Sequence, residues 1–159
     1  MGKTVYIETT VPSAYASQRR DPGSVHRREI TRAWWVQQSQ AYELVTSEAT
    51  LEELASGDYA GKAEAMALIE GLPVIGITEE AIGIAELYMR HHVMPSPRSG
   101  DPLHLALASL HEVDYVLTWN IRHLANPNKL EHITVVNRRL GLFTPLIVTP
   151  EALWTEGDP

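Results

Sequence analysis

The chain has 159 residues, 44% of them hydrophobic and 21% charged, which fits one domain with a real core and excludes a disordered or fibrous protein. It has no cysteine, so disulfide bonds, thiolate metal sites and a cysteine nucleophile are excluded. The formal net charge of −7 argues against a domain that binds nucleic acid only through basic side chains. It does not exclude an enzyme whose carboxylates hold divalent cations.

Short apolar runs alternate with amphipathic stretches, a pattern typical of an α/β fold with a parallel sheet. The predicted elements are a strand at 4–7, a helix at 26–39 after turn residues 20–24, a strand at 42–46, helices at 47–55 and 60–70, a strand at 73–77, helices at 79–91 and 103–110, a strand at 115–118, a short helix after residue 120, a mixed region at 129–140 and an edge strand at 146–148. We assign one domain to residues 1–150 and a C-terminal tail to residues 151–159.

The sequence gives no sign of a membrane or secretory segment. It contains no apolar run long enough to span a bilayer. Glu8 interrupts the first apolar run, so a signal peptide is not expected. Together with the lack of cysteine, these features predict a cytoplasmic protein without a membrane partner.

Four polar side chains stand near the predicted strand ends. Glu8 ends the first strand, Glu53 lies in the helix after the second, Asp101 opens the helix before the fourth strand, and Asn120 follows that strand. Ligands of open parallel sheets bind outside the carboxyl ends of the strands, so these residues can converge. Oxygen ligands of this kind suit Mg²⁺ or Mn²⁺, and the pattern predicts a metal site.

Each of these residues also has a purely structural interpretation. Glu8 could face solvent, and Glu53 could complete a capping box worth about 1 kcal/mol at the start of its helix. Asp101, followed by Pro102, could cap a helix, and Asn120 could cap the next one. Only their joint placement favours a site.

Four segments carry a resemblance to a known family: VYIETT at 5–10, SEATLEEL at 47–54, DPLHLA at 101–106 and YVLTWN at 115–120. They resemble the landmarks of PIN-domain proteins, in the family's order, and are most similar to the branch that contains VapC-type toxins of bacterial toxin–antitoxin pairs. The block from 101 to 123 is the most specific part.

The resemblance implies a three-layer α/β/α fold with a central parallel sheet, and an endoribonuclease that hydrolyses RNA phosphodiester bonds with Mg²⁺ or Mn²⁺. Glu8, Glu53 and Asp101 match the acidic positions and would be catalytic metal ligands, while Asn120 matches a fourth catalytic position that is often acidic. The first position is usually aspartate, and the longer Glu8 could shift a metal by roughly an ångström, which can cost about a hundredfold in rate. A homodimer and an antitoxin partner are also implied.

Several other residues are candidates for supporting roles at this site. Thr9 and Thr118 are candidate helpers, because hydroxyls can bond to the carboxylates. Arg98 and Arg122 flank Asp101 and Asn120 and could contact RNA phosphates.

The remaining histidine and tryptophan patterns favour structural roles. Asp101 and His104 share a helix face, which permits a shared metal, but His104 is interpreted as packed or hydrogen-bonded. No HExxH pattern exists, so zinc is not predicted. Trp34-Trp35 could stack bases, but we favour one ring in the core and the other in a protein contact.

Two other hypotheses stay open. The first is a catalytically silent PIN-like module that binds RNA or a protein partner, which the residues at positions 8 and 120 keep open. The second is a doubly wound phosphoacceptor domain, which would need paired acids after the first strand, where this sequence offers only Glu8.

Overall fold

The structure is a computed structural model that describes residues 2–94 and 100–156. Its centre is a five-stranded sheet with the order β3-β2-β1-β4-β5, and every neighbouring pair of strands is parallel. The strands are β1 Thr4–Ile7, β2 Glu43–Ser47, β3 Val74–Ile75, β4 Tyr115–Leu117 and β5 Leu146–Val148. All five match predicted strands, and the predicted edge position of the last one is confirmed.

Helices connect the strands. Within the described residues they are α1 Thr10–Tyr15, α2 Pro22–Gln37, α3 Glu48–Ala55, α4 Lys62–Ile69, α5 Glu79–Arg90, α6 Asp101–Leu110 and α7 Pro127–Leu140, with one turn of 3₁₀ helix at Ser39–Ala41. None of these helices has the length and apolar character that crossing a membrane requires.

The side chains of β1 show why the fold has three layers. Successive strand residues point to opposite faces of a sheet. Val5 and Ile7 pack into a core that includes Trp34 of α2, whereas Tyr6 packs into another core with Leu107 of α6. All of these side chains are fully buried. The predicted three-layer α/β/α architecture is therefore confirmed.

Helix starts follow local capping chemistry. The side chain of Asp21 accepts a hydrogen bond from the backbone N–H of Ser24, and Pro22 occupies the first helical position of α2. The last three residues of the predicted turn at 20–24 thus belong to the helix, and the predicted start at residue 26 was too late. Ser47 caps α3 in the same way by accepting from Thr50 N–H.

Three segments differ from the predictions. Residues 10–15 form α1, for which no element was predicted. The short helix predicted after Asn120 is a set of turns, in which the N–H groups of Leu124 and Ala125 donate to the carbonyl of Asn120. The region at 129–140 that the sequence left mixed is α7.

The chain remains packed after β5. Leu153 lies in the core with Trp34, whose indole N–H donates to the Leu153 carbonyl at 2.7 Å. Thr155, in the predicted C-terminal tail, donates its backbone N–H to the Gln38 side chain at 2.8 Å. The beginning of the predicted tail is therefore held against α2.

A candidate metal centre at the carboxyl ends of the central strands

The strand order places a reversal between β1 and β4. From β1 the chain continues to β2 and β3 on one side, while β4 and β5 lie on the other. Such a switch point is where ligands of open α/β sheets bind. Glu8 follows β1 and Thr118 follows β4, so both residues emerge at this point.

Glu8 is buried, and hydroxyl and amide groups hold its carboxylate. Its Oε1 atom accepts hydrogen bonds from the Thr118 hydroxyl at 2.6 Å, the Thr10 hydroxyl at 2.5 Å and the Thr10 N–H at 3.1 Å. No residue that the structure describes donates to Oε2. With 3% of its surface exposed, Glu8 does not simply face solvent.

The two candidate helpers have different outcomes. Thr118 contacts Glu8 directly, as predicted. The Thr9 hydroxyl is buried and makes no hydrogen bond within the described part of the chain. The role foreseen for Thr9 belongs to its neighbour Thr10.

Glu53 lies in the last turn of α3 and pairs with α6. Its Oε1 atom is 2.7 Å from Nε2 of His104, which is fully buried, while the Glu53 side chain is 35% exposed. The capping-box interpretation of Glu53 is wrong, because Ser47 caps α3 and Glu53 lies at the opposite end of the helix. Burial alone would raise the pKa of Glu53, but the hydrogen bond and charge of His104 outweigh it and lower this pKa.

His104 is packed and hydrogen-bonded, as interpreted from the sequence. Its Nδ1 atom is 2.6 Å from the Tyr6 hydroxyl, which is in turn 2.6 Å from the Ser47 hydroxyl. Burial would lower the pKa of His104, but Tyr6, Glu53 and Glu8 together raise it well above its ordinary value. The imidazolium then donates to Glu53 from one nitrogen and to Tyr6 from the other.

Asp101 is the first residue of α6, and Gly100 occupies the cap position, so the interpretation of Asp101 as the cap is wrong. Its carboxylate is buried near the positive end of the helix dipole. Oδ2 of Asp101 accepts a hydrogen bond from Nδ2 of Asn120 at 2.8 Å. The Asn120 amide is oriented by its other end, because Oδ1 accepts from the N–H of His123, which can only donate.

These contacts bring two of the three predicted carboxylates together and connect the third to them indirectly. Ligand atoms of Glu8, Glu53 and His104 all lie within 4.8 Å of one another. Asp101 joins the group through Asn120, whose N–H donates to the same Thr118 hydroxyl that bonds to Glu8.

The donor set fits a hard divalent cation. Glu8 and Glu53 offer carboxylate oxygens that lie close together, and Asn120 connects a third carboxylate, that of Asp101, to this pair. His104 is an unsuitable ligand, because Tyr6 and Glu53 already occupy both of its nitrogens. His104 instead orients Glu53, so the ligands on offer are oxygen atoms, which suit hard cations better than zinc.

Comparison with known proteins adds the fold. No protein-family model matches the chain, and no curated protein matches it. A chain in the crystal structure of VapBC2 from Rickettsia felis, bound to a DNA fragment from its promoter, matches with a TM-score of 0.53 at 9% identity, covering 92% of this chain and 98% of that one. Mycobacterium tuberculosis VapC20, a sarcin–ricin loop-cleaving toxin, matches with a TM-score of 0.58 at 13% identity, covering 75% of this chain and 92% of that one.

The chain has a PIN-like fold. The resemblance seen in the sequence is confirmed at the level of architecture, since both matched structures share the course of the chain. The sequence alone did not predict the hydrogen bonds that connect Glu53 through His104 to Tyr6 and Ser47. The available signal was the spacing of Asp101 and His104 on one face of α6, but nothing local linked His104 to Tyr6 or Ser47.

The arginines and tryptophans considered in the sequence analysis have different positions in the PIN-like fold. Arg122 is exposed in the turn after Asn120, whereas Arg98 lies outside the described residues. Trp34 is fully buried and stacks against Tyr42, so it offers no face to a nucleic acid base. The predicted core position for one of the two tryptophans is thereby confirmed.

Gly100 holds the two halves of the centre at close approach. Its φ is +71°, and a Cβ atom there would lie 2.5 Å from Oε1 of Glu53. We expect Gly100→Ala to push the Glu53 carboxylate away from His104 and to weaken Mn²⁺ binding about tenfold or more. Calorimetric titration with Mn²⁺ measures this effect.

Gly141→Ala is the matched control for this substitution. Gly141 also has a φ of +71°, but nothing lies within 4 Å of its Cβ position. Both variants should lose about 1–2 kcal/mol of stability from backbone strain. Equal Mn²⁺ affinity in the two variants would show that Gly100 has no role beyond its backbone conformation.

Proposed function

We propose that the chain is a metal-dependent endoribonuclease that hydrolyses RNA phosphodiester bonds. The observation that carries this proposal is the convergence of Glu8 and Glu53 within 4.8 Å, with Asp101 linked to them through Asn120 and Thr118. Glu8, Glu53 and Asp101 are the proposed metal ligands, and Asn120 is the proposed fourth catalytic residue. Carboxylates that converge at a sheet switch point attract a divalent cation.

A bound Mg²⁺ or Mn²⁺ would supply positive charge to the scissile phosphate and favour a water nucleophile at neutral pH. The protein's own side chains contribute by holding the proposed metal ligands in place. Thr10 and Thr118 fix the Glu8 carboxylate, His104 fixes Glu53, and Asn120 fixes Asp101. Orienting partners of this kind are what hold metal ligands in place.

The amide at position 120 fits this scheme. An aspartate there would repel Asp101 in the absence of metal, whereas Asn120 donates a hydrogen bond to it. The longer side chain of Glu8 is accommodated because its carboxylate turns back to the N–H of Thr10. The two departures from the family's usual residues are thus compatible with a metal centre.

The second candidate is a catalytically silent module that binds RNA or a protein partner. One observation favours it: the charge of Glu53 is already balanced by His104, so the protein meets part of the site's charge requirement itself. This alternative requires that the chain cleave no RNA when Mn²⁺ is present.

The test combines metal binding with cleavage. The ribonuclease proposal expects Mn²⁺ to raise the melting temperature, since a ligand at a hundred times its Kd stabilises a protein by about 2.7 kcal/mol. It also expects cleavage of structured RNA with Mn²⁺ and none with EDTA. Metal binding without cleavage favours the silent module, and the absence of both results refutes the metal centre.

We further propose that the chain is the toxin of a toxin–antitoxin pair and forms a homodimer. Support comes from the matched structures, a VapBC2 complex and the toxin VapC20. Production of the chain in bacteria should then arrest growth, and Asp101→Asn should relieve the arrest. Sedimentation analysis tests the dimer, and rescue of growth by the product of an adjacent small gene tests the antitoxin.

A further inference from the structure

A cavity of about 650 Å³ lies between α1, the start of α2 and the loop after α3. Its volume lies in the range of small-ligand sites. Thr10 lines the cavity and also donates to Glu8. Trp119 lines it too, and its backbone N–H donates to the Thr10 hydroxyl at 2.8 Å. Thr10 therefore connects the cavity wall to Glu8 of the candidate metal centre.

Two aromatic side chains of the cavity wall are held by their polar ends. The indole N–H of Trp119 donates to the Thr31 hydroxyl at 2.8 Å. The hydroxyl of Tyr59 donates to the Leu54 carbonyl at 2.6 Å. Both residues are part of the lining, and neither is buried. Rings fixed in this way lose little conformational freedom when a ligand stacks on them.

Two arginines stand on the same wall of a chain whose net charge is −7. Arg19 is paired with Asp21 at 3.3 Å, but both side chains are exposed, so the pair is weak. Arg27 is exposed and has no ion pair with any residue that the structure describes. A guanidinium in this state is available for a phosphate group.

We propose that this cavity binds one nucleotide of a single-stranded RNA beside the scissile bond, with its base against Trp119 and Tyr59 and a flanking phosphate on Arg27. Aromatic rings next to cationic side chains are the usual means of binding single strands. The proposal rests on the proposed ribonuclease function for the identity of the strand. It assigns base stacking to Trp119, where the sequence had offered Trp34 and Trp35.

The test measures fluorescence anisotropy of a labelled single-stranded RNA of roughly ten nucleotides, within the range of known single-strand sites. Ca²⁺ replaces Mn²⁺, and a gel verifies that the RNA stays intact. The variants are Trp119→Leu, Trp119→Phe and Arg27→Gln. Arg139→Gln, on the exposed end of α7 and outside the cavity lining, is the matched control for loss of one positive charge.

We expect Trp119→Leu to weaken RNA binding about tenfold, because stacking on an aromatic ring is lost, and Trp119→Phe to retain most of the affinity. Arg27→Gln should weaken binding severalfold and lower the slope of log affinity against log salt by about one. Arg139→Gln should leave both quantities unchanged. Since Arg27 is exposed, its substitution tests the cavity without disturbing the core.

Two results would overturn the proposal. The first is RNA that binds Trp119→Leu and Arg27→Gln as tightly as it binds the parent. The second is RNA that does not bind the parent, in which case the cavity serves another ligand such as a protein segment. Parallel cleavage assays with Mn²⁺ separate the two proposals. A parent that cuts RNA while the cavity variants bind and cut normally refutes only the cavity. A parent that binds through the cavity but never cuts refutes only the nuclease.

Discussion

Asp101→Asn is expected to lower Mn²⁺-dependent RNA cleavage by about a hundredfold or more, because even residues that only support metal ligands cost ten- to a hundredfold when changed. The substitution removes one of three carboxylates and keeps an oxygen that can accept from Asn120. The fold should persist, since the shape of the side chain is retained. Initial rates on a labelled RNA with excess Mn²⁺ measure the effect, and the melting temperature reports on folding.

Glu131→Gln is the control for this experiment. Glu131 is exposed on α7, so its substitution removes one negative charge from the chain without touching the centre. It should cleave RNA like the parent. If Asp101→Asn cleaves as fast as Glu131→Gln, Asp101 is not a catalytic ligand, and the conclusion that the acidic residues form one metal centre fails.

His104→Leu is expected to lower the free energy of unfolding by about 2–3 kcal/mol, because it removes one partner from buried polar groups that stay in place. Tyr6 keeps its hydrogen bond to Ser47, and solvent reaches part of Glu53, so the loss stays below that of a fully buried ion pair. Urea denaturation measures this free energy. The dependence on urea concentration should be unchanged if only the native contacts are lost.

His111→Leu is the matched control, since His111 is exposed at the carboxyl end of the same helix. Its substitution should change the stability by no more than about 0.5 kcal/mol. Equal stability of the two variants would mean that the Tyr6–His104–Glu53 contacts contribute nothing to folding. A selective loss in His104→Leu, together with weaker Mn²⁺ binding, would support its role in orienting Glu53.

Residues with strong periodic patterns made most of the fold predictable from the sequence. The β-branched and aromatic residues of β1 and β4 predict strands, and Asp101-Pro102 predicts the start of α6. The helix α1 was missed because it is six residues long and contains Pro12, so it has no clear periodicity. It forms because Val11 is fully buried in the core, which is a tertiary effect.

The helix α7 was also not recognised from the sequence, because a tertiary effect interrupts its apolar pattern. Its residues include Asn137 at a fully buried position, where a polar residue breaks the apolar pattern. Asn137 is accepted there because its side chain bonds to Tyr88 and to Ser109. Partners that are distant in the sequence satisfy it, and no local pattern reveals them.

The acidic residues of the candidate site and the support from Thr118 were predictable, whereas the contacts that hold Glu53 were not. Glu8, Glu53 and Asp101 follow from the strand map and the resemblance, and the structure brings Glu8 and Glu53 together. The contact between Glu53 and His104 joins positions separated by 51 in the sequence, so only the fold could reveal it. A single histidine in an apolar helix is interpreted as a packed residue, and His104 is packed. Its additional role in orienting Glu53 depends on a contact that exists only in the folded chain.

The two outer strands of the sheet are very short. β3 contains two residues and β5 contains three, so little unpaired backbone is offered along either border. Copies of the chain therefore have almost no template for joining sheet to sheet, and fibril-like growth is disfavoured at high concentration. Self-association through the helical layers would leave the candidate metal centre at the strand ends unobstructed by strand exchange.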